Sequence, residues 1–164
     1  MEVNDLEIPN FPAIQKCILI DSRHRSRKEI AVRIQSSMLY GEIVEALSVA
    51  DGLSKLGEGI FGSCFMGPTL SQAVVFEFLA KGAQVSKSKD CAFLVVFNEN
   101  AETKISEALI AEYRSAGAHG VIIHPCSQEA FVRETVTGVL AANPNSAWAP
   151  LAVLNGFTSS VAGT

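Results

Sequence analysis

Four side chains in this 164-residue sequence have the chemistry to build a site: Asp21, His24, Cys64 and His124. Thiolate, imidazole and carboxylate are the usual zinc donors, and a thiol beside an imidazole is a pairing that supports nucleophilic catalysis. Their spacing matches no metal-binding motif, and no third residue presents itself to orient His124 against Cys64. The plainer reading makes Cys64 and Cys126 small core fillers and His124 a hydrogen-bonded strand end. The cysteines Cys17, Cys64, Cys91 and Cys126 are far apart, without a C-x-x-C pair, and three lie in or beside apolar runs. Free buried thiols of that kind suit a reducing cytoplasm. A second group, Arg23-His24-Arg25-Ser26-Arg27-Lys28, opens a helix whose N-terminus favours negative charge. It reads either as a contact for an anion or acidic partner or as a solvated surface.

The elements that must hold these residues follow from hydrophobic periodicity. Cys17 to Ile20 is a first strand ending at Asp21. Ser26 is placed to cap a helix with an apolar stripe of Ile30, Ala31, Ile34 and Met38. Glu42 to Leu47 is a short second strand, followed by a helix through Val49, Leu53 and Leu56 that Gly57 and Gly59 stop. Ile60 to Met66 is a third apolar run closed by Gly67-Pro68, and a helix from about Thr69 gathers Val74, Val75, Phe78 and Leu79, leaving Phe76 on the opposite, exposed side. Val85 to Asp90 reads as a loop. Cys91 to Phe97 is the strongest strand, unbroken in apolar residues as a strand buried on both faces should be. A helix over roughly Glu102 to Ser115 aligns Ile105, Ala108, Leu109 and Glu112. Gly120 to His124 is the fifth strand, and Ser127 caps a last helix with a stripe of Val132, Val136, Val139 and Leu140.

Five strands and five helices in strict alternation predict a doubly wound parallel α/β sheet of flavodoxin type, order 2-1-3-4-5. We place one domain at 16–142, a leader at 1–15 and a tail or linker at 143–164. In such sheets function sits at the carboxyl ends of the strands, near Asp21 to His24, Cys64 to Pro68, Phe97 to Asn100 and His124 to Cys126. The composition, 48% hydrophobic and 18% charged, is that of a chain with a real core, and the net charge of −4 argues against nucleic acid as a partner. No signal peptide or membrane span is visible, so the expectation is a cytoplasmic protein.

The strand ends, with Gly67-Pro68, Ala116-Gly117-Ala118 and His124-Pro125, resemble those of response-regulator receiver domains over about Lys16 to Ala142. The resemblance implies a phosphorylation site at which an acidic pair follows strand 1, a phosphoacceptor Asp ends strand 3, Thr or Ser ends strand 4 and Lys-Pro ends strand 5. Here those positions hold Asp21-Ser22, Cys64, Phe97 and His124. Magnesium prefers hard oxygen ligands, and a thiol, a phenyl ring and an often neutral imidazole supply none of what an acyl phosphate needs. The resemblance therefore implies a degenerate pseudo-receiver without enzymatic activity, metal or cofactor. Its expected partner is a protein: another module, a second copy or a fused output domain. The expected interaction face, by the same resemblance, is helix 4, strand 5 and helix 5, with Tyr113 and Val121. Val121 stands where many receivers carry a switching aromatic, so the face is expected to hold one state. The alternative reading is a small metal-sensing, redox-sensing or thiol-based enzyme domain using Cys64 and His124.

Overall fold

Every apolar run predicted as a strand pairs in parallel with its neighbours in a computed structural model, which describes residues 15–85, 90–146, 148 and 149. The elements run β1 (Lys16–Ile20), α1 (His24–Ser37), β2 (Glu42–Ala46), α2 (Val49–Glu58), β3 (Ser63–Met66), α3 (Gln72–Gly82), β4 (Ala92–Asn98), α4 (Glu107–Ala116), β5 (Gly120–His124) and α5 (Gln128–Ala142). The sheet order is β2-β1-β3-β4-β5, the predicted flavodoxin-like topology. Alternation along each strand sorts the core into two layers. Cys17, Leu19, Phe65, Leu94, Val96 and Ile122 pack with residues of α1 and α5, while Ile18, Ile20, Cys64, Met66, Phe93 and Val95 pack with those of α2, α3 and α4.

Serine hydroxyls set most of the helix starts. Ser48, Ser71, Ser106 and Ser127 are N-caps, accepting from the backbone N–H of Asp51, Val74, Leu109 and Ala130 respectively. Three expected starts move accordingly. α1 begins at His24 with Arg23 as a cap that offers no side-chain bond, so Ser26 lies inside the first turn and its hydroxyl is free for another acceptor. α3 begins after Ser71, which leaves Thr69 in the preceding loop. α4 begins at Glu107 because Asn100 Oδ1 accepts from the N–H groups of Glu102 and Thr103 and Glu99 Oε2 accepts from that of Ile105, winding 99–105 into a loop. Met38 is not part of the α1 stripe: it is the left-handed C-cap, with 77% of its surface exposed.

The core continues past the expected boundary at Ala142. Trp148 is completely buried and meets Tyr40 edge-on with centroids 5.3 Å apart, completing the layer under α1 and α5. A single aromatic among Asn, Pro and Ser carries no periodicity, which is why the sequence pattern assigned it to a tail. The expected leader before Gln15, positions 86–89 of the expected loop and the chain from 150 onward lie outside the described residues. Among the described residues no helix is long and apolar enough to cross a membrane.

α5 approaches the sheet closely because glycine faces glycine. A Cβ at Gly138 would strike Leu94 Cδ2 and lie 3.2 Å from Gly120 Cα. Glycine to alanine inside a helix ordinarily gains about 1 kcal/mol, whereas overpacking a tight core costs about 1–3 kcal/mol. Leu94 is fully buried and the other obstacle is backbone, so the second effect wins. Gly138→Ala is expected to lower unfolding free energy by about 1 kcal/mol or more, read from the midpoint of a urea titration.

Candidate functional site

The carboxyl ends of β1, β3, β4 and β5 form the rim where this topology places a site, and Asp21 sits at its centre with no exposed surface. The strand register fixes what lies beside it. Ile20 pairs with Met66, and Gly67 N–H donates to Ile20 O at 2.8 Å, so Gly67 is the β3 neighbour of Asp21. A Cβ at Gly67 would land on the Asp21 carboxylate. Glycine here is a requirement of space, and the backbone of β3 closes over the acid.

The carboxylate is held from two sides. Ser26 Oγ, from the first turn of α1, donates to Oδ2, and Thr69 Oγ1, from the loop after β3, donates to Oδ1. Thr69 Oγ1 in turn accepts from Ser22 N–H at 3.2 Å and lies 2.9 Å from Ser22 Oγ. Burial pushes the pKa of Asp21 up from its ordinary value near 3.8, opposed by the Ser26 hydroxyl and by the N–H groups of Thr69, Ser22 and Arg23. No guanidinium or ammonium group meets the carboxylate among the described residues. Arg27 donates instead to the backbone O of Asp21 at 3.0 Å and pairs with Glu45 at 2.8 Å, which ties α1 to β2. Its Nη2 also lies 3.3 Å from His24 Nδ1.

Several residues singled out by sequence lie elsewhere. Cys64 is not at the rim: it pairs with Ile18 and Phe93 in the middle of β3 and is fully buried, because Phe65 and Met66 extend the strand beyond it. Burial raises its thiol pKa well above the ordinary value, and Cys91 adds to the rise. His124 belongs to the opposite layer, beside Phe131, so the Cys64–His124 pair is divided by the sheet. His124 pairs with Asn98 at the ends of β5 and β4, and burial, then Arg33, lower its pKa below 6.5, leaving a neutral ring at neutral pH. Its Nε2 is enclosed without a hydrogen-bond partner among the described groups. It lines a rim crevice of about 330 Å³ with Glu29, Arg33, Glu99 and Asn100. Among the described residues no group of three or more His, Cys, Asp or Glu is placed to hold a metal ion.

The basic cluster also divides. Arg23, Arg25 and Lys28 are exposed, but Arg27 is committed to Glu45 and Arg33 donates to Cys126 O at 2.6 Å. Counting Arg33, further along α1, two of these five cations are thus structural. Phe97 turns into the α2–α4 layer and meets Tyr113 edge-on at 4.8 Å, and Phe76 meets the other side of Tyr113 at 4.9 Å. Tyr113 and Val121 are only 4% and 6% exposed: the two rings cover Tyr113, while Val121 still forms part of the wall of the groove between α4, β5 and α5. Nor is Phe76 exposed; it is half-buried against that ring. The accessible surface between α4, β5 and α5 is a groove of about 260 Å³ lined by Ile110, Arg114, Ile123, Ala130 and Glu134, among others. Sequence reasoning missed Thr69 and Gly67, whose roles appear only once the β1–β3 register is known. Ser26 was noticed but assigned to the helix backbone.

No protein-family model and no curated protein matches the sequence. Solved structures do. The chemotaxis protein CheY4 of Vibrio cholerae is 22% identical, covering 78% of this chain and 100% of its own, with a TM-score of 0.63. A CheY-like receiver domain from Methanospirillum hungatei is 14% identical over 80% of this chain and 98% of its own, with a TM-score of 0.61. A DNA-binding response regulator of the LuxR family from Staphylococcus aureus is 12% identical over 77% and 99%, with a TM-score of 0.61. The likeness establishes a receiver-type fold.

The direction of the Asp21 shift fixes a sign. The folded chain holds this proton more tightly than the unfolded chain, so the contribution to stability is fully present below about pH 4 and is lost as pH rises through the folded value. Asp21→Asn removes that slope. Against wild type, the variant is expected to gain stability as pH goes from about 4 to about 7, measured as the difference in denaturation midpoints across the series.

Proposed function

We propose that this chain is a receiver-fold module that works by binding a protein partner, without phosphoryl transfer. One observation carries the reading: the β3 backbone at Gly67 packs onto a buried Asp21 that is already clasped by Ser26 and Thr69. No acidic residue occurs from Ser63 to Thr69, so β3 offers no carboxylate on which an acyl phosphate could form. A magnesium ion needs several oxygen ligands and open coordination positions. Both carboxylate oxygens of Asp21 already accept a hydroxyl, and the backbone at Gly67 covers the group, so a metal would have to compete with this clasp to gain one ligand. The neutral ring of His124 gives no fixed charge to balance a phosphoryl group.

The same reading makes the α4–β5–α5 groove the contact surface. Ile110 and Ile123 form its apolar part, flanked by Arg114 and Glu134, and the partner is another protein, a second copy or a fused output domain. The Phe76–Tyr113–Phe97 stack fills the space behind α4, which holds the face in one state and makes its binding independent of phosphorylation. The module would serve as a scaffold or regulatory part of cytoplasmic signalling, with no catalytic step of its own.

Incubation with acetyl phosphate and magnesium, followed by intact-mass measurement, is expected to leave the protein without a phosphoryl adduct; a magnesium-dependent adduct would sink the reading. Ile123→Arg, a half-exposed edge position, is expected to weaken capture of a native partner at least about tenfold while leaving the denaturation midpoint close to wild type. Equal capture by both proteins would remove the groove from consideration.

A further inference from the structure

Cys64 and Cys91 remain unaccounted for by any contact role. Cys64 lies in β3, and Cys91 immediately precedes β4, the adjacent strand. The register pairs Ser63 with Ala92 and Cys64 with Phe93, and both thiols belong to the layer facing α2, α3 and α4. Their sulfurs are 3.8 Å apart. We infer that Cys64 and Cys91 are an oxidisable dithiol, which closes to an intramolecular disulfide on exchange with a low-molecular-weight disulfide.

The surroundings choose this chemistry over metal binding. A metal held by two thiols requires both to be deprotonated, which places charge inside an apolar layer at high cost. A disulfide is neutral and suits that layer. Closure needs the sulfurs to approach from 3.8 Å to about 2.05 Å, and because Cys91 lies two residues before Phe93, the partner of Cys64, the backbone at Cys91 must shift toward β3 as well. His124 has no part in it, since it lies on the other side of the sheet.

The order of events follows from exposure. Cys91 is 2% exposed and follows the exposed Asp90, whereas Cys64 has no exposed surface. Cys91 gives up its proton and attacks the oxidant, forming a mixed disulfide and releasing one small thiol. Cys64 then loses its proton and attacks the Cys91 sulfur, releasing the second small thiol. The protein loses two hydrogens, and one small disulfide is reduced to two thiols. Burial of both sulfurs makes the exchange slow, because they must be uncovered before they react.

Oxidised glutathione is the probe, applied to the folded full-length chain, with alkylation of the remaining thiols and peptide mapping. Two of the four cysteines are expected to become unavailable, the mass to fall by about 2 Da, and one cross-linked peptide to join Cys64 with Cys91, all reversed by a reductant. In Cys91→Ala, Cys64 is expected to stay free. The wild-type map does not depend on whether that variant folds. Four alkylatable thiols after prolonged exposure would overturn the inference, as would a lasting glutathione adduct on Cys91 or a cross-link through Cys17 or Cys126.

Discussion

A carboxylate taken wholly out of water must be satisfied by what surrounds it, and at Asp21 the surroundings are two hydroxyls, several backbone N–H groups and no cation. That arrangement organises the rim. Ser26 brings the first turn of α1 to the acid, Thr69 brings the loop after β3, and Gly67 lets the two strands close over it. Arg27, bonded to the backbone of the same residue and to Glu45, extends the network to β2. Burial raises the proton affinity of this carboxylate and the neutral donors offset only part of the rise, so keeping it ionised carries a free-energy cost at neutral pH.

The aromatic stack behind α4 makes the same point for the other side of the sheet. Phe97 at the end of β4 and Phe76 on α3 enclose Tyr113 from two directions, both edge-on. Edge-to-face aromatic pairs contribute about 0.5–1.5 kcal/mol each beyond the area that they bury. Under the function proposed above, a closed rim and a filled interior are what would hold the contact face in one conformation.

Much of the architecture was legible in the sequence because period-two and period-3.6 patterns report directly on packing. The unbroken run Phe93 to Val96 marks an interior strand and Ser127 is the cap that its position suggests, whereas the caps at Ser48, Ser71 and Ser106 emerge only from the structure. The site was legible only in outline. Counting back from Gly67-Pro68 places Cys64 at the rim, but the hydrogen-bonded register carries the strand two residues further, so Gly67 takes the place beside Asp21. Tyr113 and Val121 sit on the right elements yet point inward, a matter of helix phase and strand pleat that one residue's shift decides. Trp148 was missed because a lone buried aromatic after a helix end has no pattern to announce it.

The central claim is that the clasp around Asp21 leaves no room for a hard cation, and magnesium titration followed by amide NMR tests it most directly. The account predicts that the Asp21, Ser22, Gly67 and Thr69 amide signals stay unmoved through about 10 mM magnesium, well above the concentrations at which functional oxygen-ligand sites fill. Saturable shifts confined to those four residues would contradict it.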